Sequence, residues 1–152
     1  MKIVKAGESD LEMILKLQYL AFQVEARIWQ NYQLKPLVET LAEIQQEFDA
    51  GPVLKAILDD GTLVGSVRGY VEDGTLYILK LIVHPDFQGQ GIGTALVRAI
   101  EGLHPGLRYE LYTSCRSERN LRLYEKLGYK RYGEEVLSPT FTFIHLEKNC
   151  IS

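Results

Sequence analysis

The sequence has few of the residues that build metal centres and disulfide frameworks. Its 152 residues include two cysteines, Cys115 and Cys150, and three scattered histidines. The cysteines lie far apart and lack the paired C-x-x-C spacing of zinc and redox sites. We therefore expect free thiols and no bound metal.

The chain also lacks a positive net charge and a long apolar run. Its formal net charge is -3, so no overall attraction for nucleic acid is expected. The densest apolar stretch, residues 76–83, is far shorter than the roughly 18 residues of a membrane span and contains Lys80. Because Glu8 and Asp10 precede any apolar block, we expect no secretory signal, no membrane contact and a cytoplasmic location.

The remaining composition is that of a globular domain. Hydrophobic residues make up 46% of the chain and charged residues 24%, both within the usual range. A chain of this length buries roughly 70% of its unfolded surface, so a core can form without metal or disulfide links. No linker, repeat or low-complexity segment interrupts the sequence, and we predict a single domain over residues 1–152.

Hydrophobic periodicity predicts helices first and then mainly strands. A strand at 3–5 precedes a helix that begins at a Ser9–Glu12 capping box and runs to about residue 28. A second helix is expected from about Pro36 to Gly51. The later elements are strands at 53–58, 62–71 and 76–83 joined by Asp-Gly turns, a helix at 92–103, a strand at 107–113, a helix at 117–127 ending at Gly128, and strands at 129–133 and 141–146.

The order of these elements indicates an α+β fold. The strands before residue 84 form an antiparallel meander, whereas the helix at 92–103 makes the strand at 107–113 parallel to the strand at 76–83. The sheet is therefore mixed and mainly antiparallel, with helices on both faces. Lys80 and Glu110 carry opposite charges on these neighbouring strands, so we expect them to pair. Exposed edge strands offer a route to a homodimer.

A glycine-rich loop, Gln-Gly-Gln-Gly-Ile-Gly-Thr at residues 88–94, follows the buried strand and opens a helix. Unpaired amides and the helix dipole favour an anion there, and glycines let the main chain approach it. A Walker A loop is excluded because no Gly-Lys-Ser/Thr follows. A dinucleotide fingerprint would need glycine at Thr94, although Glu110 falls near the offset of a ribose-binding acid. From these residues alone, an anion site, a dinucleotide site and a ligand-free turn all stay open.

The run from Leu81 to Glu101 resembles motif A of the GNAT superfamily of acyl-CoA-dependent N-acetyltransferases, whose Gln/Arg-x-x-Gly-x-Gly/Ala core is matched by Gln88, Gly91 and Gly93. Residues 120–129 resemble motif B. The resemblance implies a central parallel pair of strands splayed for acetyl-CoA as cosubstrate. It implies cofactor-binding roles for Leu81, Ile82, Val83, Gln88, Gly89, Gln90, Gly91, Ile92, Gly93, Thr94, Asn120 and Tyr124.

The implied reaction moves an acetyl group from acetyl-CoA to a primary amine by direct attack in a ternary complex. The amine must be neutral, and the departing thiolate needs a proton. A lysine-like amine with a pKa of ~10.4 costs ~4.6 kcal/mol to deprotonate at neutral pH. Tyr124 is the candidate acid for the thiolate; packing in the core is the other interpretation of this tyrosine.

The general base is less defined. Many members of the family place a glutamate before the cofactor-contacting part of the motif A strand, where this chain has Tyr77. We predict Glu25, which follows the apolar stripe of the first helix; Glu72 and Glu110 are alternatives. A thiol-imidazole nucleophile from Cys115 and His84 is a further alternative.

The acceptor is expected to be a small-molecule or peptide amine. The aromatic residues Phe22, Trp29 and Tyr32 either form a wall of its pocket or pack in the core. A non-catalytic acyl-CoA-binding module is the alternative function. Such a module would keep residues 88–94 and lack a productive acid or base.

Overall fold

The computed structural model describes residues 1–29 and 38–149. Its strands are β1 (Lys2–Lys5), β2 (Val53–Ile57), β3 (Leu63–Glu72), β4 (Thr75–Val83), β5 (Arg108–Ser114), β6 (Lys130–Ser138) and β7 (Phe141–Asn149). Its helices are α1 (Leu11–Trp29), α2 (Leu41–Ala50), α3 (Ile92–Leu103) and α4 (Glu118–Lys126), with 3-10 turns at Glu8–Asp10 and Pro85–Phe87.

The strands form one sheet in the order β1-β2-β3-β4-β5-β7-β6. Every neighbouring pair is antiparallel except β4 and β5, which are parallel because α3 returns the chain between them. The turn between β3 and β4 has positive φ at both Asp73 and Gly74, as a two-residue hairpin turn requires. The predicted α+β fold, with a mainly antiparallel sheet and one parallel pair, is confirmed.

Helices cover both faces of the sheet. One core joins α3 and α4 to the sheet, and a second core joins α1 and α2 to the opposite face. The first core includes the stripe that the sequence predicts for α3, formed by Ile92, Leu96, Val97 and Ile100. The second includes Ile14 of α1 and Ile44 of α2, both fully buried.

The central parallel pair opens toward its C-terminal end. Pairing between β4 and β5 covers three residue pairs and ends at Tyr77 and Glu110. Both strands continue beyond that point, to Val83 and Ser114. A cleft between the two strands therefore begins in the middle of the sheet.

A bulge interrupts β4 beside this cleft. Ser66 of β3 pairs with Ile82, and Arg68 pairs with Leu79, so β4 has one residue more than β3 between the two pairs. Lys80 lies within the bulge and has a φ of 52°, in the left-handed region that residues other than glycine rarely adopt. The alternation of side chains between the two faces of the sheet is therefore broken at this residue.

The start of α1 differs from the sequence prediction. The helix begins at Leu11 after a 3-10 turn, and the Asp10 carboxylate accepts a hydrogen bond from the Gly7 amide at 2.8 Å. The predicted Ser9–Glu12 capping box is therefore wrong. Gly7 is the N-cap of the 3-10 turn, so the helical segment starts before Ser9, and the acid that accepts from the N-cap amide is Asp10 rather than Glu12.

The start of α2 is also displaced from its predicted position. The helix begins at Leu41, and the Thr40 hydroxyl accepts a hydrogen bond from the Glu43 amide at 3.2 Å. Glu43 in turn accepts from the Thr40 amide at 3.1 Å, which completes a capping box. The predicted start at Pro36 lies outside the described residues.

Within residues 1–29 and 38–149, no helix combines the length and the apolar character that crossing a membrane requires. In the same two ranges, no group of three or more His, Cys, Asp or Glu side chains is placed to hold a metal ion.

Candidate functional site

The loop that connects β4 to α3 presents main-chain amides beside a helix start. Gly89 and Gly91 have φ values of 79° and 83°, which glycine adopts without strain. Gly91 is the N-cap of α3, and the first turn of this helix carries no acidic side chain. Beyond the adjacent residues, no atom of the described chain lies within 4 Å of a Cβ built on either glycine. The helix start therefore faces open space and favours an anion.

The third glycine of the loop brings α3 close to α4 and β4. A Cβ on Gly93 would stand 3.3 Å from Leu123 of α4 and 3.8 Å from both Leu81 and Val83 of β4. Close packing therefore favours glycine at this position. The contact places the start of α3 against the part of β4 that follows the bulge.

Hydrogen bonds from α4 reach both the loop and the end of β5. Arg119 donates to the side-chain oxygen of Gln88. Asn120 donates to the Thr113 hydroxyl of β5 at 3.4 Å. Gln88 itself donates to the Val83 carbonyl at 3.5 Å. The predicted loop and motif B residues thus lie together at the C-terminal ends of the two parallel strands, where such sheets bind ligands.

Tyr124 lies one helical turn beyond Asn120 and is 5% exposed. Its ring centroid is 6.1 Å from that of Tyr129. Within the described part of the chain, the Tyr124 side chain makes this ring contact and no hydrogen bond. Burial raises the pKa of the Tyr124 hydroxyl, so the group stays protonated at neutral pH.

A pocket of about 420 Å³ lies on the opposite face, between α2 and the strands β3 and β4. Tyr70 and Leu79 line it from the sheet, and Leu79 immediately precedes the bulge residue Lys80. Its helix side is lined by Glu43, Gln46, Glu47 and Ala50. The pocket therefore meets β4 close to the point where this strand separates from β5.

Four charged side chains form a cluster at the pocket, in which Glu39 and Arg68 are buried and Glu47 and Lys80 are half-buried. The Lys80 ammonium is 3.2 Å from Glu39 Oε2 and 3.0 Å from Glu47 Oε1. Arg68 lies 3.3 Å from Glu39 through Nη2 and 3.2 Å from Glu47 through Nε. Gln18 donates to Glu39 at 3.1 Å and accepts from Arg68. Each carboxylate therefore bridges the two cations.

The two carboxyl groups of the cluster have pKa values shifted in opposite directions. Burial by itself raises the pKa of Glu39, but its interaction with the adjacent Glu47 carboxyl and the charges of Arg68 and Lys80 lower it to about 2. Burial and the same interaction between the two carboxyls raise the pKa of Glu47. Glu39 is therefore the carboxylate whose charge holds the cluster together.

The predicted ion pair between Lys80 and Glu110 is wrong. Lys80 pairs with the acids beside α2, and Glu110 instead lies 2.8 Å from Arg108 on its own strand. Glu39, Glu47 and Arg68 were not among the residues predicted from the sequence. One signal was present, because Arg68 is the lone charge in the run 62–71 and a buried charge needs a partner.

The three acids considered as the general base lie in different places. Glu25 is on α1, but its side chain lies outside the described residues. Glu72 is exposed at the hairpin end of β3. Glu110 is engaged with Arg108, as its 2.8 Å ion pair shows.

The aromatic residues near the predicted acceptor side have separate surroundings. Tyr77 stacks on Tyr70 with ring centroids 5.0 Å apart. Phe22 is half-buried and packs against the core between α1, α2 and the sheet. The side chain of Trp29 and the whole of Tyr32 lie outside the described residues.

His84 and Cys115 do not form a nucleophilic pair. His84 accepts a hydrogen bond from the Asp86 amide at 3.1 Å through Nδ1, and its ring packs edge-on against Phe87. Cys115 is a free, exposed thiol. No hydrogen bond joins the two among the described residues, so the geometry does not favour a thiol-imidazole nucleophile.

Comparison with known proteins gives a family for residues 13–129, which match the Acetyltransferase (GNAT) family. Mycothiol acetyltransferase of Propionibacterium freudenreichii subsp. shermanii is 34% identical over 101 residues, which cover 60% of this chain and 32% of that relative. The chain thus spans about a third of the length of this curated relative.

Solved structures share the fold at low sequence identity. The ribosomal-protein-S18-alanine N-acetyltransferase of Escherichia coli superposes with a TM-score of 0.78 at 16% identity, covering 98% of this chain and 93% of that one. The PaiA N-acetyltransferase of Thermoplasma acidophilum, in complex with coenzyme A, gives 0.74 at 18% identity, with coverages of 95% and 96%. Because the family match extends over well more than half of the sequence, the chain belongs to the acetyltransferase (GNAT) family.

Proposed function

We propose that this chain is an N-acetyltransferase that moves an acetyl group from acetyl-CoA to a primary amine by direct attack in a ternary complex. The observation that carries the proposal is the glycine loop at residues 88–94, set at the opened ends of β4 and β5. Membership of the GNAT family and similarity to a relative named as an acetyltransferase support the same activity.

The glycine loop fits the diphosphate of acetyl-CoA. Open space lies over Gly89 and Gly91, and no acid in the first turn of α3 repels phosphate. The residues that we assign to this group are Gln88, Gly89, Gln90, Gly91, Ile92, Gly93 and Thr94.

The free edge of β4 fits the amide-bearing arm of the same molecule. Beyond Tyr77 the main chain of β4 is not paired with β5, and unpaired strand edges bind extended amides as an added strand. We assign this role to Leu81, Ile82 and Val83. Asn120, hydrogen-bonded to the end of β5, is assigned to the same arm.

Tyr124 is the acid of the proposed reaction. Acetyl-CoA supplies the acetyl group as a thioester; the amine nitrogen bonds to the carbonyl carbon, and the sulfur leaves with the electron pair of the broken bond. The Tyr124 hydroxyl, which is protonated at neutral pH like any tyrosine of ordinary pKa, donates a hydrogen bond and then a proton to that sulfur. The proton released by the nitrogen restores the hydroxyl through solvent.

The acceptor amine binds in the pocket between α2 and the sheet. Leu79 lines this pocket beside the bulge, so an amine held there is next to the opened strand. The cost of ~4.6 kcal/mol for deprotonating a lysine-like amine requires a base or a water-poor site on this side. Glu25 stays the predicted base, since α1 lies on the same face as α2. A small-molecule or peptide amine satisfies this chemistry.

Release of free thiol from acetyl-CoA over a panel of primary amines tests the proposal. The panel contains a polyamine, an aminoglycoside, free amino acids and short peptides with free N-termini. The wild-type protein should release thiol only with an acceptor present. Tyr124→Phe should lower kcat on the order of a hundred- to ten-thousand-fold and leave the Kd of acetyl-CoA unchanged.

Tyr109→Phe is the matched control for that substitution. The Tyr109 hydroxyl donates to the carbonyls of Glu101 and His104, at the end of α3 remote from the glycine loop, so turnover should be kept. Unchanged turnover in Tyr124→Phe would remove Tyr124 as the acid. Binding of acetyl-CoA without turnover on any amine would favour a non-catalytic acyl-CoA-binding module.

A further inference from the structure

The bulge residue of β4 is anchored by charges from another part of the chain. Lys80 has a φ of 52°, a conformation that is unfavourable for any residue with a Cβ. Its ammonium group lies 3.2 Å from Glu39 and 3.0 Å from Glu47. The Lys80 side chain is 14% exposed, so these ion pairs are partly shielded from solvent and salt. The two carboxylates therefore oppose relaxation of the bulge.

Arg68 and Gln18 add further contacts to the anchor. Arg68 holds both carboxylates from a second side, at 3.3 Å from Glu39 and 3.2 Å from Glu47. Arg68 and Glu39 are each 1% exposed, and Gln18 is fully buried against them. Buried, interlinked polar groups of this kind fix one geometry, whereas an exposed ion pair exchanges among several.

The conformation of Lys80 determines which groups β4 presents to the cleft. Parallel pairing with β5 ends at Tyr77, shortly before the bulge. A strand without the bulge would pair with β3 one residue out of register beyond this point, and each later side chain would change face. The main-chain groups of Leu81 and Val83 would then exchange their directions with those of Ile82.

We propose that Lys80 is a positioning residue for acetyl-CoA, whose ion pairs with Glu39 and Glu47 hold β4 in the register that binds this cosubstrate. The inference rests on the proposed function. Lys80 has no contact with acetyl-CoA in this proposal. Its effect on the affinity for acetyl-CoA passes through the main chain of residue 80.

Two substitutions at Lys80 separate the backbone effect from the side-chain effect. Lys80→Ala removes the anchor and leaves the positive φ unfavourable, whereas Lys80→Gly removes the same anchor and accepts this φ freely. Isothermal titration with coenzyme A should show a Kd raised on the order of tenfold for Lys80→Ala, and a Kd within about threefold of wild type for Lys80→Gly.

Lys55→Ala is the matched control for the loss of a lysine ion pair. Lys55 lies on β2, two strands away from β4, and within the described chain its ammonium group is 2.9 Å from Asp10 and makes no ion pair with Glu39 or Glu47. Its removal should therefore leave the Kd unchanged. Equal weakening by alanine and glycine at residue 80 would overturn the inference, because the loss of affinity would then not depend on the backbone conformation of this residue. Wild-type binding in Lys80→Ala would also overturn it.

Glu47→Gln provides a second test if Lys80→Ala does not fold. It weakens the anchor while keeping the size of the side chain, and should raise the Kd of coenzyme A severalfold. In a Lys80→Gly background it should add nothing, because the anchor is already absent. An additive loss would overturn the inference. Failure of the wild-type protein to bind coenzyme A would reject the proposed function together with the inference, whereas the other results reject the role of Lys80 alone.

Discussion

Replacing Glu39 by glutamine should destabilise the protein by about 3 kcal/mol at neutral pH. Folding lowers the pKa of this carboxyl from 4.5 to about 2, and each pH unit of difference corresponds to ~1.36 kcal/mol. Removing one partner of a buried ion pair costs a similar amount, about 3–5 kcal/mol. Glutamine keeps the size and an acceptor oxygen for Gln18, but it removes the charge that faces Arg68 and Lys80.

The destabilisation should fade in acid. Because the folded-state pKa of Glu39 is depressed, its stabilisation is fully present above the unfolded-state value of 4.5 and is lost as the pH falls toward 2. Urea unfolding followed by far-ultraviolet circular dichroism measures the free energy of unfolding. The difference between wild type and Glu39→Gln should fall at pH 3 to less than half of its value at pH 7.

Glu134→Gln serves as the control, because Glu134 is an exposed residue of β6. Its free energy of unfolding should stay within about 0.5 kcal/mol of wild type at both pH values. Two results would refute the reasoning. One is a free energy of unfolding lowered by less than about 1 kcal/mol in Glu39→Gln at pH 7, and the other is a loss of stability at pH 3 as large as that at pH 7. Equal denaturant slopes for wild type, Glu39→Gln and Glu134→Gln would show that the loss of stability does not come from a change in the unfolded state.

Two further substitutions test the loop and the core. Gly91→Glu should weaken coenzyme A binding on the order of a hundredfold, because a φ of 83° is strained with a side chain and the new carboxylate repels the diphosphate. Gly106→Ala, at a φ of 81° in the turn before β5 and at the other end of that strand from the cleft, should leave the Kd unchanged. Equal Kd values for Gly91→Glu and wild type would refute the anion site. Tyr129→Phe removes a 2.7 Å hydrogen bond to the Glu101 carboxylate and should lower the free energy of unfolding by about 1.5–3 kcal/mol; a change below about 0.5 kcal/mol in urea unfolding would contradict this estimate of the bond's contribution.

Elements with local signals could be predicted from the sequence. The Asp73-Gly74 pair specifies a hairpin because both residues tolerate positive φ. The stripe of α3 specifies its buried face because one helical turn spans 3.6 residues. Gly128 follows Leu127, the C-cap of α4, and its φ of 98° is the left-handed conformation that commonly ends a helix.

Features that depend on distant residues could not be predicted. Arg68 and Glu39 are far apart in the chain, and no local pattern selects their pairing over another. The bulge at Lys80 breaks the two-residue alternation on which strand analysis depends, so the expected pairing with Glu110 failed. The far end of β6, up to Ser138, was missed because this edge strand is mostly exposed and has no apolar periodicity.

The candidate site also has one part that local sequence signals predict and one part that depends on distant residues. The strand-loop-helix order alone places residues 88–94 at an open sheet end, and motif B brings Asn120 to the end of β5. The pocket that we propose for the acceptor is lined by α2, β3 and β4, which meet only in the folded chain. For this reason the sequence indicates the cosubstrate more sharply than the acceptor or the base.

Titration of the 15N-labelled protein with coenzyme A, followed by amide chemical shifts, tests the glycine loop and the cleft between β4 and β5 together. The account predicts saturable one-to-one binding, with the largest shifts at residues 88–94 and at 81–83. The amides of Gly74 and Gly106, in the turns that precede β4 and β5 at the paired end of these strands, should move little. No binding, or largest shifts along the outer strands β1 and β6, would contradict it.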